Sequence, residues 1–301
     1  MDALTDGATL EIVERVSDPG DAFVKYLFKS PDGALHEAVR IPLHKPGSFS
    51  VCLSSQVGCA MGCVFCATGR MGLSRNLAAW EMVAAFELLR DQLLEERPEA
   101  RVTGAVFQGQ GEPFHNYDEV IRAARVLSHP LCAGVSAQNI TISTVGLVPQ
   151  IRRYARERHP YRLIVSLTSA VAHRRKSLLP VAGNFTLDEV AEALREYAAV
   201  ARGRVTVAWV LMGGVNDGAD EVEALRKLLD GVPLRLNLID VNDARTLEEG
   251  AFRRATDDER KAFMGRLQVL GAPVVRRYSG GATKHAACGM LAAVRCAPPL
   301  P

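Results

Sequence analysis

Residues 58–69 read Gly-Cys-Ala-Met-Gly-Cys-Val-Phe-Cys-Ala-Thr-Gly, and three cysteines, Cys59, Cys63 and Cys66, fall in this run at C-x3-C-x2-C spacing. Three thiolates this close can hold three irons of a [4Fe–4S] cube and leave the fourth iron open as a coordination site. A structural zinc takes four protein ligands, one more than the loop supplies. Ala60, Gly62, Ala67 and Gly69 are small enough for the backbone to curl around a bulky cluster. Phe65, beside the last cysteine, can shield it from solvent.

The loop follows FSVCLSS (49–55), which reads as a strand, and the pattern beyond it alternates. A helix is expected from a cap at Asn76 to about Glu96, with Trp80, Val83, Ala84 and Leu88 at helical spacing. Then come strands VTGAVFQ, QNITIST, RLIVSLT, RVTVAWVL, LRLNLI and PVVRRY. Helices over 117–128, 148–157, 186–201, 218–229 and 257–269 separate them. Strands alternating with helices define an α/β chain with a parallel sheet and right-handed crossovers, curled into a partial or complete barrel. Chemistry in such barrels gathers at the C-terminal ends of the strands, where the cysteine loop sits. Ahead of the barrel, residues 9–16 and 22–42 read as a small antiparallel β module with a turn at Pro31–Gly33. The expected divisions are a β extension over 1–46, a barrel over 47–285 and a C-terminal segment over 286–301.

Of the 301 residues, 48% are hydrophobic and 23% charged, the balance of a soluble globular enzyme. No apolar run approaches the roughly 18 residues of a membrane span. The acidic N-terminus has no signal-peptide core, so a cytoplasmic protein is expected. Seven cysteines in that setting suggest metal or catalytic thiols rather than a disulfide framework. The net charge of +2 does not mark a nucleic-acid binder. Basic clusters at Arg152, Arg153, Arg156 and Arg158, at Arg174, Arg175 and Lys176, and at Arg276, Arg277 and Lys284 read equally as solvated faces or as anion-binding patches.

Several strand ends carry polar residues. Gly109-Gln110-Gly111-Glu112-Pro113 offers close backbone approach and a carboxylate for an ammonium group. Ser143-Thr144, Ser166-Leu167-Thr168 and Asn237 occupy further strand ends, and four such positions together suggest a cofactor site. Two lone cysteines stand out. Cys52 lies on the first barrel strand, and Cys288 lies in HAACGML among small residues, where a buried inert thiol and an approachable one are both open readings. Cys132 and Cys296 have no motif and read as incidental thiols.

C-x3-C-x2-C is also the signature of radical S-adenosylmethionine (SAM) enzymes. CLSSQVGCAMGCVFCATG resembles, almost position by position, the cluster segment of the rRNA adenine methyltransferases RlmN and Cfr. The resemblance continues through Arg75-Asn76-Leu77, Gly111-Glu112-Pro113, ITIST, VSLT, VNDG (215–218), NLI and AACG at Cys288, covering about residues 35–295. It implies a partial (β/α)6 barrel. Cys59, Cys63 and Cys66 would ligate a [4Fe–4S] cluster. Gly111, Glu112, Ser143, Ser166, Leu167, Thr168 and Asn237 would hold SAM. Cys288 would be the methylated cysteine, Cys52 the second catalytic cysteine, and Glu37 the proton acceptor. Thr168 stands where the family has histidine, and His285 where an acidic residue is common. The family's N-terminal helical RNA-binding domain is not expected here.

The implied chemistry explains the lone cysteines. An sp2 carbon of adenine, C2 or C8, has no electron pair with which to displace a sulfonium methyl. As the resemblance implies, Cys288 is methylated first. A second SAM, two per turnover, then yields a 5′-deoxyadenosyl radical that activates the S-methyl group, and the carbon adds to the base. Glu37 takes the ring proton, and Cys52 attacks the sulfur of Cys288 to release the product. A flavodoxin- or ferredoxin-type donor would supply the electrons. The substrate is expected to be rRNA or tRNA, with a small molecule or peptide as the alternative. A non-catalytic metal-binding or RNA-interaction protein would have no use for Glu37, Cys52 and Cys288 together.

Overall fold

The structure is a computed structural model that describes residues 9–17, 22–201, 203–277 and 286–291. Strands β1 (Glu11–Ser17), β2 (Val24–Lys29) and β3 (Leu35–Pro42) form an antiparallel meander. The turn between β2 and β3 is closed by Ser30 N–H donating to Ala34 O at 2.8 Å and by Ala34 N–H donating to Asp32 Oδ1 at 3.0 Å. Strand β4 (Ser48–Leu53) pairs antiparallel with β3 on one side. On the other side the chain turns to parallel pairing, and the meander therefore continues into the main sheet without a break.

The next elements are a two-stranded hairpin of β5 (Gln56–Cys59) and β6 (Gly72–Asn76), enclosing the short helix α1 (Ala67–Arg70). Then follow α2 (Ala79–Glu96), β7 (Arg101–Phe107), α3 (Tyr117–Ser128), β8 (Ile140–Thr144), α4 (Val148–Glu157) and β9 (Arg162–Ser166). The chain goes on through α5 (Ala172–Leu178), α6 (Leu187–Val200), β10 (Val205–Leu211), α7 (Ala219–Leu228), β11 (Leu234–Asp240), α8 (Asp257–Leu267) and β12 (Val274–Arg277). The ten-stranded sheet has the order β1-β2-β3-β4-β7-β8-β9-β10-β11-β12, parallel from β4 onward. β4, β7, β8, β9, β10 and β11 each lead to a helix on the outer face, six units in all, and β12 completes the run. The first and last strands do not pair, so the barrel is partial.

β10 shows why the barrel keeps a lumen. Val205, Val207, Trp209 and Leu211 point outward and are fully buried under the helices, with Trp209 against Phe263 at 5.8 Å between ring centroids. Thr206 and Ala208 point inward and line a cavity with Thr103, Thr141 and Asn237. A closed barrel fills its interior with bulky branched side chains. Here small and polar residues share the inward positions with branched ones such as Ile164 and Ile239, and space remains.

The helix expected from Asn76 begins later. Asn76 lies in β6, where its Oδ1 accepts from Gln56 Nε2 at 2.7 Å. Ala78 is the N-cap, and the Glu81 carboxylate reaches back to accept from Ala78 N–H at 2.8 Å. Glu81 also binds Arg75 of β6 at 2.9 Å and accepts from Ser30 Oγ. The hairpin, which the alternating pattern did not announce, is thereby tied to the helix and the meander at once. Among the described residues no helix is long and apolar enough to cross a membrane.

Candidate active site

The β5–β6 hairpin presents the cysteine loop at the C-terminal end of the barrel strands. Cys59 ends β5, Cys66 precedes α1, and Cys66 N–H donates to Cys63 O at 3.1 Å. Gly69 permits this turn, because a Cβ there would lie 2.9 Å from the backbone of Cys63. The three cysteines line one cavity of about 880 Å3 with Gly111, Glu112, Ser143, Ser166, Asp240, Asn242 and Cys288. Gly111 has φ +97°, and a Cβ there would sit 2.6 Å from Gln56 Cβ, so only glycine lets this strand end close over the hairpin.

Burial pushes the Cys59 thiol up to about 12 and raises Cys63 and Cys66 as well. A cluster binding there would deprotonate them outright. Among the described residues no three Cys, His, Asp or Glu side chains gather tightly enough for a single metal ion. A cube gives each thiolate its own iron, so three thiols on one cavity suit a cluster with an open fourth iron, whereas a structural zinc takes four protein ligands.

Glu112 lines the same cavity. Its Oε1 accepts from Phe114 N–H at 2.9 Å and its Oε2 from Val145 N–H at 2.8 Å, so it fastens the loops after β7 and β8. Burial pushes its carboxyl up to about 7, against the opposing pull of hydrogen bonds from Thr144, Val145 and Phe114. A cationic group entering the cavity would meet a carboxylate with lone pairs to spare. Arg175 is also buried, contrary to the reading of its cluster as a solvated or anion-binding face. It donates to Ser166 O at 3.1 Å, to Val145 O at 2.7 Å and to Leu167 O, stapling the loops after β8 and β9. Burial lowers its pKa to about 10.

The expected cofactor residues divide. Gly111, Glu112, Ser143 and Ser166 line the cavity. Leu167 and Thr168 do not: the Leu167 side chain is in the apolar core, and Thr168 is fully buried with φ +61° and its Oγ1 unpartnered. Asn237 is also misplaced by the sequence reading. It lies in the middle of β11 and lines the lower lumen instead. Its register partner on β10 is Ala208, itself level with Ser166 on β9. Tilted strands displace equal register positions along a barrel axis, so register alone does not set height. The asparagine at the cavity is Asn242, just past the end of β11. The strand-end rule, applied two residues beyond Asp240, would have found it.

Asn242 Nδ2 donates to Cys288 O at 3.4 Å, and Ala67 N–H donates to Gly289 O at 2.8 Å, so the segment over 286–291 docks on the cluster loop. Cys288 lines the main cavity and also a smaller one of about 640 Å3, whose other wall holds Cys52. Burial pushes Cys288 up to about 11 and raises Cys52 further. Glu37 lines neither cavity. Its carboxylate is buried against Lys25 Nζ at 3.1 Å and accepts from Gln110 Nε2 at 3.4 Å. Cys132 is exposed, while Lys284, His285 and Cys296 lie outside the described residues.

The fold and the three-thiol loop have counterparts among known proteins. The family model described as Radical SAM superfamily matches residues 53–229. The crystal structure of a radical SAM methyltransferase from Sphaerobacter thermophilus superposes with a TM-score of 0.88 at 38% identity, covering 94% of this chain and 81% of that one. A "Probable RNA methyltransferase" of Anaeromyxobacter sp. (strain Fw109-5) is 48% identical over 94% of this chain and 85% of its own length. The "Dual-specificity RNA methyltransferase RlmN" of Syntrophobacter fumaroxidans is 42% identical over 91% of this chain and 77% of its own. The chain thus belongs to the radical SAM superfamily and, within it, to the family of RlmN-type methyltransferases. It is an iron–sulfur enzyme that uses a [4Fe–4S] cluster and SAM.

Proposed function

We propose that this enzyme methylates C2 or C8 of an adenine in rRNA or tRNA through a methyl group carried on Cys288. The observation that carries the reading is the position of Cys288, on the wall of the cluster cavity and of the Cys52 cavity alike. A carbon carrier has to face the radical source on one side and the releasing thiol on the other. The relatives' names supply the RNA.

Cys59, Cys63 and Cys66 hold the cluster, and Gly111, Glu112, Ser143, Ser166 and Asn242 hold SAM. When bound, the cluster supplies the electron that cleaves SAM to a 5′-deoxyadenosyl radical. Cys288 receives the methyl group by displacement as a thiolate and presents it to the cavity. The apolar side chains of Phe23, Val39 and Leu291 keep water from the Cys52 pocket. Glu37, which contacts Lys25 Nζ and accepts a hydrogen bond from Gln110, is the proton acceptor. Cys52 attacks the sulfur of Cys288, forming a disulfide and freeing the methylated base. The consumption of two SAM molecules and a flavodoxin- or ferredoxin-type electron donor belong to the same proposal.

The test is mass spectrometry of the peptide containing Cys288. With SAM under reducing conditions Cys288 should gain one methyl group, and incubation with rRNA or tRNA should give methyladenosine. Absence of the methyl-cysteine would end the mechanism. Methylated Cys288 with inert RNA would turn the search to small molecules and peptides.

A further inference from the structure

Most arginines of this protein that face a carboxylate are paired to it. In the clusters noted from sequence, Arg152 binds Glu196 at 2.9 Å, Arg153 binds Asp118 at 2.6 Å, Arg174 binds Glu221 at 2.5 Å and Arg276 binds Asp240 at 3.1 Å. Five of the arginines that have no such partner share one tract. Arg158, Arg162, Arg204 and Arg235 line a cleft of about 1920 Å3 at the N-terminal end of the barrel. Arg162 and Arg235 also line the lower lumen, a cavity of about 1140 Å3, with Arg277 at its upper part. Among the described residues none of the five has an ion-pair partner, and neither cavity has an aspartate or glutamate on its wall.

The tract leads to the reacting thiols. Arg277 lines the small cavity that holds Cys52 and Cys288, which shares Ile41, Val106, Gln108 and Ile239 with the lower lumen. Arg277 pairs in register with Ile239, and Arg235 lies four residues below it on the same strand, about 13 Å along β11. Arg162 lies two strands away on β9, two residues before Ile164, which is level with Thr206 and through it with Arg235. Unpaired cations spaced over such a length match a chain of phosphates better than one small anion. The cleft and the lower lumen share Arg162, Thr206 and Arg235, so a strand laid in the cleft reaches the lumen from below. A base to be modified must leave its stack, and a backbone held below Cys288 lets the base project upward to it.

We propose that the lower lumen and the cleft beneath it bind the phosphate backbone of the single-stranded RNA segment that carries the target base. This rests on the RNA reading above. Phosphates lie over Arg277, Arg235 and Arg162, and the strand leaves across Arg158 and Arg204. The contacts are to backbone and set register rather than sequence.

The experiment is fluorescence anisotropy of the full chain with a labelled short single-stranded RNA across a salt series. Arg162→Ala/Arg235→Ala and Arg158→Ala/Arg204→Ala should each flatten the slope of log K against log salt by about 1.4, two phosphate contacts for a single strand. The corresponding lysine pairs should restore most of the slope. Arg226→Ala, on the outer face of α7, should leave it unchanged. All five arginines are exposed, so their removal leaves the core packing intact. If wild type binds RNA and neither alanine pair changes affinity or slope, the proposal is overturned while the RNA substrate stands. If wild type binds no RNA, the substrate reading falls too. Calorimetry with inorganic pyrophosphate then separates a small-phosphate site that needs the same arginines, which overturns the strand, from no anion site at all, which overturns the tract.

Discussion

Cys52 and Cys288 come from distant parts of the chain and line the same small cavity, walled by Val39, Val106, Ile239 and Leu291. β4 brings Cys52 there, and the hydrogen bonds from Ala67 N–H to Gly289 O and from Asn242 Nδ2 to Cys288 O hold Cys288 there. Both thiols are raised by burial, so each reacts only when a partner draws its proton away.

Cys52→Ala should trap the enzyme on its substrate. With RNA, SAM and reductant, a covalent protein–RNA adduct should accumulate and be visible as a shifted band that resists denaturation. Cys288→Ala should form neither adduct nor methyl-cysteine. An equal yield of free methylated RNA from Cys52→Ala would remove Cys52 from the release step.

Asn242 and Asn237 should separate cleanly. Asn242→Ala removes a cavity-lining amide that also holds the Cys288 backbone, so SAM binding should weaken about tenfold, the worth of roughly one hydrogen bond to a charged group. Asn237→Ala, in the lower lumen, should leave SAM affinity within twofold. Equilibrium dialysis with labelled SAM decides between them.

Glu112 should make the apoprotein's stability depend on pH. Its folded carboxyl lies at about 7, above the ordinary value of 4.5, because burial outweighs its hydrogen bonds. Between those values the folded state holds a proton that the unfolded state has lost. Stability from this group is therefore present below about pH 4.5 and is lost as pH rises through about 7. The loss is at most about 3 kcal/mol. Glu112→Gln should flatten this slope in urea unfolding at pH 5 and pH 8. Parallel curves for variant and wild type would refute the assignment.

Arg175→Met should destabilise the fold by about 3 kcal/mol, because the carbonyls of Val145, Ser166 and Leu167 lose their donor in a buried setting. Lys176→Met, at an exposed position of the same helix, should cost under about 1 kcal/mol. Thermal unfolding of the two variants compares them directly.

The sheet and helices were legible because each strand alternates or runs apolar and each helix repeats at its own period; β10 and α3 match their patterns closely. The β5–β6 hairpin was not legible. Its residues carry no strand alternation, and Gly58, Gly69 and Gly72 make it look like open loop. The start of α2 was placed early because Asn76 is a good cap by type, while Glu81 performs the capping from inside the helix. Arg175 looked like part of a surface cluster because burial is set by neighbours distant in the chain.

By itself the sequence determined the cluster loop, the α/β alternation and the family, since these depend on residue types at short fixed spacings. Only the tertiary structure decided which polar residues share the cavity, because strand tilt and chain crossing set height in a barrel. It brought Cys288 to Cys52, replaced Asn237 by Asn242 at the wall, and left five arginines without an ion pair among the described residues along the lower lumen and the cleft beneath it. Such meetings depend on distance in space, which local spacing does not encode.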